Sequence, residues 1–399
     1  MAEEAPSRIE PCLLDSYPAT LADVIADLAS DAKKLGNRLH PTTAASLAEL
    51  VRWTNCYYSN LIEGHNTRPL DIERAIANDF DDDAARRNLQ REARAHVRVQ
   101  RDVDLACSEG RYGEPATRER IRWLHQRFYE DASPEMLRVE HPKGSYELTP
   151  GEFRNDPRHD VSVGRHLPPS SSVVAQFMEY FESRYRFEAL GTSARIVAMA
   201  AAHHRLNYIH PFPDGNGRVS RLMSHAMAWE AGIGANGLWS ISRGLARGLE
   251  DPGEYRRMMD AADEPRRGNL DGRGNLSRSA LVEFVTWFCR VALDQVTFMN
   301  GLFDLDNLEE RLVRYVRQSL RLPEHAAAIP VEALRRGEIP RGEAARVTGR
   351  PERTARAAMS ALLSAGLLCS ATPKSAVRLR FSIESADAVF PRLYYPQQP

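Results

Sequence analysis

Within the twelve residues HPFPDGNGRVSR, His210 to Arg221, the chain sets a histidine, a carboxylate, two glycines and two arginines at the junction of a loop and a helix. A histidine with an ordinary pKa near about 6.5 can accept the proton of an attacking hydroxyl at neutral pH, which suits His210 to general base work. Gly215 and Gly217 let the backbone turn sharply and come close to a ligand. The N–H groups of the helix start that follows suit phosphate oxygens, and Asn216 adds a side-chain donor. Arg218 and Arg221 lie three residues apart, on nearly the same side of that helix, and their planar forks pair with phosphate. Asp214 offers the hard oxygen that Mg²⁺ takes alongside substrate phosphates. Each residue alone is most simply a packed histidine, a turn or a surface charge. Their combination points to chemistry on a polyphosphate.

At every defined position the segment resembles HxFx(D/E)GNGRxxR, the signature of the Fic family of nucleotidyl transferases. Eight constrained positions at about one in twenty each would coincide on the order of once in ten billion starting points, so chance is not a rival. The resemblance extends to AAAHHRLNYIHPF before the motif and to VGRH with its double proline further upstream, roughly residues 20 to 300 in all. It implies a mostly helical Fic core with a β-hairpin flap, and an enzyme that moves AMP from ATP to Ser, Thr or Tyr hydroxyls of proteins, with ATP and Mg²⁺ as cofactors. By position it implies His210 as general base, Phe212 as the buried anchor of the loop and Asp214 as the Mg²⁺ ligand. Gly215, Asn216 and Gly217 become the anion cradle, and Arg218 and Arg221 the contacts to ATP phosphates. The chemistry is in-line displacement at the α-phosphate with pyrophosphate leaving. The motif grips phosphates and leaves the base open, so transfer of another nucleotide is an alternative, with Leu238 to Arg247 and Tyr255 as the region that would decide it.

Two further segments belong to the same resemblance. In GEFRNDPRHDVSVGRHLPP, short extended stretches around a turn at Asn155 to Pro157 predict a hairpin. There Val161, Ser162, Val163 and Gly164 would pair with an extended target peptide by strand addition. SNLIEG, Ser59 to Gly64, is similar to the family's inhibitory motif (S/T)xxxE(G/N). Ser59 and Glu63 lie one helical turn apart and share a face. If Glu63 reaches Arg221, it occupies the guanidinium meant for the γ-phosphate and restrains transfer. In some similar proteins this glutamate instead helps water remove AMP, and the sequence leaves that direction open.

These residues need elements to hold them. Apolar residues at helical spacing predict helices from Leu21, through Leu47 to Thr54, and at Asp71, Arg118 to Tyr129, Ser172 to Tyr185 and Thr192 to Tyr208. Further helices are expected from Arg218 to about Glu230, Pro252 to Ala262 and Ser277 to Leu302. The polar run Asp81 to Asp104 reads as one exposed helix with few buried positions. At 399 residues the chain exceeds the usual size of one core. Its expected parts are an N-terminal helical region carrying the inhibitory motif over 1–110, a catalytic core over 111–303 and a small α+β domain over 304–399.

That last region changes character. Residues 340 to 381 carry eight Lys or Arg (Arg341, Arg346, Arg350, Arg353, Arg356, Lys374, Arg378, Arg380) against Glu343 and Glu352. Two helices across a Gly turn, then a strand pair with a Pro373–Lys374 turn, resemble a winged helix-turn-helix that would meet DNA or a protein. A DNA-binding regulator with a nucleotide-sensing core is therefore the second reading of the whole chain. The intact His210 disfavours it, since a sensor needs no base. Elsewhere the composition is that of an ordinary globular protein, 43% hydrophobic and 27% charged with a net charge of -1. The five scattered cysteines lack a CxxC pair, and neither a secretory leader nor an apolar span is visible, so the expectation is a cytoplasmic protein without a membrane partner. A homodimer remains open.

Overall fold

The computed structural model describes residues 4–141, 144–162, 164 and 166–394. Helices dominate it, and the two sheets among the described residues are antiparallel strand pairs. The chain forms two compact units, one of residues up to 32 with 55–234 and 240–295, the other of 33–54, 235–239 and 296 onward. Among the described residues no helix is long and apolar enough to cross a membrane, and all five cysteines are free.

The first unit is built round the helix Thr192–Ile209, in which every residue from Ile196 to Leu206 is buried. A helix buried on all sides belongs to the middle of a core. Its alanines at 198 and 200–202 let the helix Asn216–Glu230 pack closely against it. Pro211 cannot continue the helix, so the chain turns at His210 and returns through a short loop. Ala84–Ser108, Arg118–Phe128 and Val174–Arg184 surround this pair. Two of them start on side-chain caps, Asp83 accepting from the Arg86 N–H at 2.9 Å and Thr117 from the Arg120 N–H at 3.2 Å.

Two expectations are corrected. The polar helix is far from fully exposed, because Gln90, His96, Gln100 and Asp104 are buried along with Ala93, Val97, Val99 and Val103. Asn55 donates to Gln100 Oε1 at 2.6 Å, and Asp104 Oδ1 meets His225 Nε2 at 2.6 Å and the Trp229 indole N–H at 3.0 Å. Polar groups satisfied in this way belong inside, and a count of apolar letters misses them. The hairpin also lies elsewhere. Its strands are Arg138–His141 and Gly144–Glu147, paired from Arg138↔Glu147 to His141↔Gly144. Pro157 instead opens a 3₁₀ turn, Pro157–His159, capped by Asp156, and a proline that lacks an N–H starts such a turn more readily than it continues a ladder.

In the second unit, Asp304 caps Leu305–Arg314 through the Asn307 N–H, and Ala328–Arg336, Ala344–Thr348 and Glu352–Ser364 follow. Leu368–Cys369 pairs with Arg378–Leu379, and Ile383–Val389 closes the unit. Leu308, Leu312, Ile329, Leu334, Leu362, Leu379 and Phe390 form its core. The expected strand pair is only two residues long on each side, while the helices Ala328–Arg336 and Ile383–Val389 were not anticipated.

His96 and His203 are wholly buried, and desolvation, with the Arg221 charge second, pushes both imidazoles down to about 3. Between the ordinary value of 6.5 and about 3 the unfolded chain binds protons there and the native one does not. Stability should therefore fall as pH falls through that window, by about 1.4 kcal/mol per pH unit for each histidine. Urea midpoints from pH 7 to 4.5 should show the decline, and His96→Gln should make it shallower.

Candidate functional site

His210 follows the helix Thr192–Ile209 in the left-handed region at φ 51°, an uncommon place for a residue with a side chain. Arg154, only 1% exposed, holds it there. Its guanidinium donates to the His210 carbonyl at 2.7 Å, to the Pro169 carbonyl at 2.8 Å and to the Ile209 carbonyl at 3.2 Å, and pairs with Asp160 at 3.2 Å. The Arg154 N–H reaches the Pro211 carbonyl at 2.8 Å. Desolvation, then the Arg154 charge, pushes the His210 imidazole down to about 4, and a hydrogen bond to the Asn207 backbone opposes this. One ring nitrogen thus carries the proton and the other is left as a neutral acceptor.

The rest of the loop is packed as firmly. Phe212 is fully buried and stacks on His125 at 3.9 Å between ring centroids. His125 Nδ1 accepts from the Gly151 N–H at 2.8 Å, so Nε2 donates to the Asp214 carbonyl at 3.2 Å. Asn216 departs from the expectation. Its amide accepts from the Phe212 N–H at 2.9 Å and donates to the Phe212 carbonyl at 2.8 Å, which closes the loop and engages both ends of the side chain. The Tyr129 hydroxyl donates to Asp214 Oδ2 at 2.7 Å. Burial works against charge on Asp214, but Arg218, Tyr129 and the Gly215 N–H hold its carboxyl below the ordinary 3.8. Gly215 sits at φ +79°, and a Cβ there would fall 2.9 Å from the Tyr129 hydroxyl, so glycine is needed on both counts.

The two arginines differ sharply. Arg221, 1% exposed, donates through Nε to Ser59 Oγ at 2.9 Å and through Nη2 to the Ser59 carbonyl at 3.3 Å and Glu63 Oε1 at 2.5 Å. Burial opposes charge on Glu63, yet Arg221 and Arg218 keep its carboxyl below 4.5. Glu63 follows the helix Pro41–Ile62, and Gly64 at φ +80° ends it. A Cβ on Gly217 would lie 2.5 Å from Glu63 Oε1, so the carboxylate and that backbone touch. Arg218 is also buried, with Nη2 3.5 Å from Glu92 and the guanidinium 5.2 Å over the Phe128 ring. Its Nε and Nη1 are buried with no hydrogen-bond partner.

Behind Arg221 stands a chain of hydroxyls and a histidine. Arg221 meets the Tyr255 hydroxyl, which lies 2.8 Å from His203 Nε2, and His203 Nδ1 lies 2.9 Å from Ser224 Oγ. On the other side, Val161, Ser162 and Gly164 lie in irregular backbone and turn, and Val163 is outside the described residues. Just beyond them, His166 Nε2 bonds the Tyr208 carbonyl at 2.7 Å and Nδ1 meets Asp263 at 3.1 Å, while Arg8 donates to the Tyr208 hydroxyl and the Leu167 carbonyl, both at 2.9 Å. His210, Asp214, the glycines, Arg218, Arg221, Ser59 and Glu63 therefore converge in the first unit. Arg154, Tyr129, His125 and Glu92 join them without having been expected. Nothing in the sequence set Arg154 apart from Arg158 and Arg165 in the same turn-forming stretch or said where it pointed.

A neutral histidine, an ionised carboxylate, a glycine-led helix start and a buried guanidinium with open N–H groups form a place for a polyphosphate and an attacking hydroxyl. Residues 115–228 match the model of the Fic/DOC family. Over 82 residues the chain is 43% identical to the protein adenylyltransferase Fic of Drosophila erecta, which covers 21% of this chain and 16% of that relative. The match thus spans about a sixth of the curated relative's length. Among solved structures, the fold resembles a Fic domain containing signaling protein from Bacteroides thetaiotaomicron, with TM-score 0.51 and 20% identity over 69% of this chain and 95% of that one. It also resembles a Fic family protein from Desulfovibrio desulfuricans, with TM-score 0.52 and 14% identity over 92% and 98%.

Replacing Arg154 by Met keeps much of the bulk and removes the side-chain bonds to the carbonyls of His210, Pro169 and Ile209, while the backbone bond to the Pro211 carbonyl stays. Leaving those acceptors unpaired should lower the unfolding free energy by about 2–4 kcal/mol, read from urea melts of variant and wild type.

Proposed function

We propose, from the premise that residues 115–228 form a Fic/DOC domain, that the chain transfers AMP from ATP to Ser, Thr or Tyr hydroxyls of proteins and that Glu63 restrains the transfer. The observation that carries this reading is Arg218, whose Nε and Nη1 are buried beside the start of Asn216–Glu230 with no partner among the described residues. An unsatisfied guanidinium is costly, and a phosphate is the ligand that would satisfy it.

The target hydroxyl oxygen attacks the α-phosphorus, the bond from that phosphorus to the bridging oxygen breaks, and pyrophosphate leaves. The hydroxyl proton passes to the unprotonated ring nitrogen of His210. With its pKa depressed to about 4, that nitrogen is free across the physiological range. Arg218 and the N–H groups from Gly217 onward stabilise the oxygens on which charge builds. Asp214 would hold Mg²⁺, which when bound would neutralise charge on the phosphates. The chemistry fits, since the carboxylate is buried and ionised and Mg²⁺ takes one or two carboxylates together with substrate phosphates.

Glu63 supports the restraint by its position. It occupies the Arg221 guanidinium that a γ-phosphate would claim and adds a negative charge where a phosphate would sit. ATP would then bind with its α-phosphate turned away from His210. The five free cysteines fit a reducing compartment such as the cytoplasm.

Purified wild type, Glu63→Gly, His210→Ala and the double variant, given Mg²⁺ and ATP labelled on the α-phosphate, should give most protein-bound label in Glu63→Gly, at least 10-fold above wild type. Both His210→Ala proteins should give none. Equal label in wild type and Glu63→Gly would remove the restraint, and label in His210→Ala would remove the base. The Glu63→Gly rate should hold from pH 8 to about 5 and fall only towards pH 4 as His210 takes up its proton.

A further inference from the structure

The second unit carries an exposed basic face that plays no part in the transfer site. Of the eight basic residues between 340 and 381, the fold withdraws two. Arg341 donates to the Ser375 carbonyl at 3.0 Å and Ser370 Oγ at 2.8 Å, and Arg346 pairs with Glu343 and Glu332. Glu343 is engaged as well by Arg336 at 2.7 Å. What remains between 349 and 380 is Arg350, Arg353, Arg356, Lys374, Arg378 and Arg380, all exposed, against the single acid Glu352. Arg356 shares an exposed pair with Glu352. The guanidinium groups of Arg350, Arg353, Arg378 and Arg380 have no partner among the described residues.

The helix Glu352–Ser364 buries Ala355, Ala358, Met359 and Leu362. Its outer face presents Arg353, Thr354, Arg356, Ala357 and Ser360. Apart from the two arginines and Glu352, which pairs with Arg356, no side chain on that face is larger than threonine, so between them the helix backbone can approach a groove wall closely. The strand pair follows directly after the turn at Gly366. Buried Leu379 ends its second strand and separates exposed Arg378 from exposed Arg380 just beyond it, where the Arg380 N–H still bonds the Leu367 carbonyl at 3.0 Å, so the two arginines share the outer side.

We propose that this face docks on duplex DNA, the helix Glu352–Ser364 entering a groove and Lys374, Arg378 and Arg380 lying on the adjacent backbone. A duplex carries one phosphate charge per about 1.7 Å of axis, a regular line that matches basic residues spread over two elements. An acidic patch on a protein would more readily be met by one compact cluster. Small residues between the arginines fit a groove and would waste area against a flat protein surface.

The full chain should bind a fluorescein-labelled 20-base-pair duplex in an anisotropy titration, with affinity falling on the order of 1,000-fold between 50 and 200 mM salt if all six basic residues meet phosphates. Arg350→Ala, Arg353→Ala and Arg356→Ala together should weaken binding at least 10-fold and make the salt slope shallower by about 2.7, near 0.9 per lost contact. These residues are exposed, so the thermal midpoint should not move; Arg353→Glu alone provides a second variant, expected to lose binding in the same way. Binding that is insensitive to salt, equal in wild type and both variants, or competed as well by poly-glutamate as by unlabelled duplex would overturn the proposal, the last in favour of an acidic protein partner.

Discussion

The site rests on one buried guanidinium that touches no reacting atom. Arg154 collects the carbonyls of Ile209, His210 and Pro169, and its own N–H takes that of Pro211. The end of a helix leaves carbonyls without partners, and a left-handed residue after it turns one of them aside. A single side chain gathers them, which is why His210 can stay at a backbone angle that costs of order 1 kcal/mol or more. The charge that does this also helps keep the imidazole neutral. Arg154 thus acts on both the loop geometry and the base's protonation state, with burial the larger cause of the second.

From that fixed loop the rest of the site follows as a problem of satisfying buried charge. Two arginines one turn apart enter the core on Asn216–Glu230, and the chain partners them unequally. Arg221 is saturated by Ser59 and Glu63, with Tyr255 behind it, whereas Arg218 has Glu92 at a long 3.5 Å and two N–H groups left over. The saturated arginine explains how a helix distant in sequence is tied to the motif. The unsaturated one is the feature on which the proposed anion site rests. Gly217 allows both, since any side chain there would collide with Glu63.

Legibility in the sequence followed the physics of each element. The helices around the motif were readable because each is a run of helix-forming, largely apolar residues with ordinary stops, and their observed ends differ from the expected ones by a residue or two at Thr192–Ile209, Asn216–Glu230 and Arg278–Leu302. Ala84–Ser108 was legible as a helix and misread in its burial, because Gln100 and Asp104 look solvent-loving until Asn55, His225 and Trp229 arrive from elsewhere in the chain. The hairpin was misplaced because extended letters such as Val161 also suit irregular backbone, and no local rule says that Arg154 and Asp160 will tie that segment to the loop.

By itself the sequence determined the identity and spacing of His210, Asp214, the two glycines, Arg218 and Arg221, since groups within twelve residues share one loop and one helix start whatever surrounds them. It also determined that Ser59 and Glu63 face the same way, because one helical turn separates them. Only the tertiary structure decided that those two meet Arg221, that Asn216 closes the loop with its side chain, and that Arg154, Tyr129 and His125 hold the ends. The reason is range. Local periodicity fixes what one segment presents, while desolvation and long-range hydrogen bonds are settled only when segments far apart in the chain compete for the same buried charge.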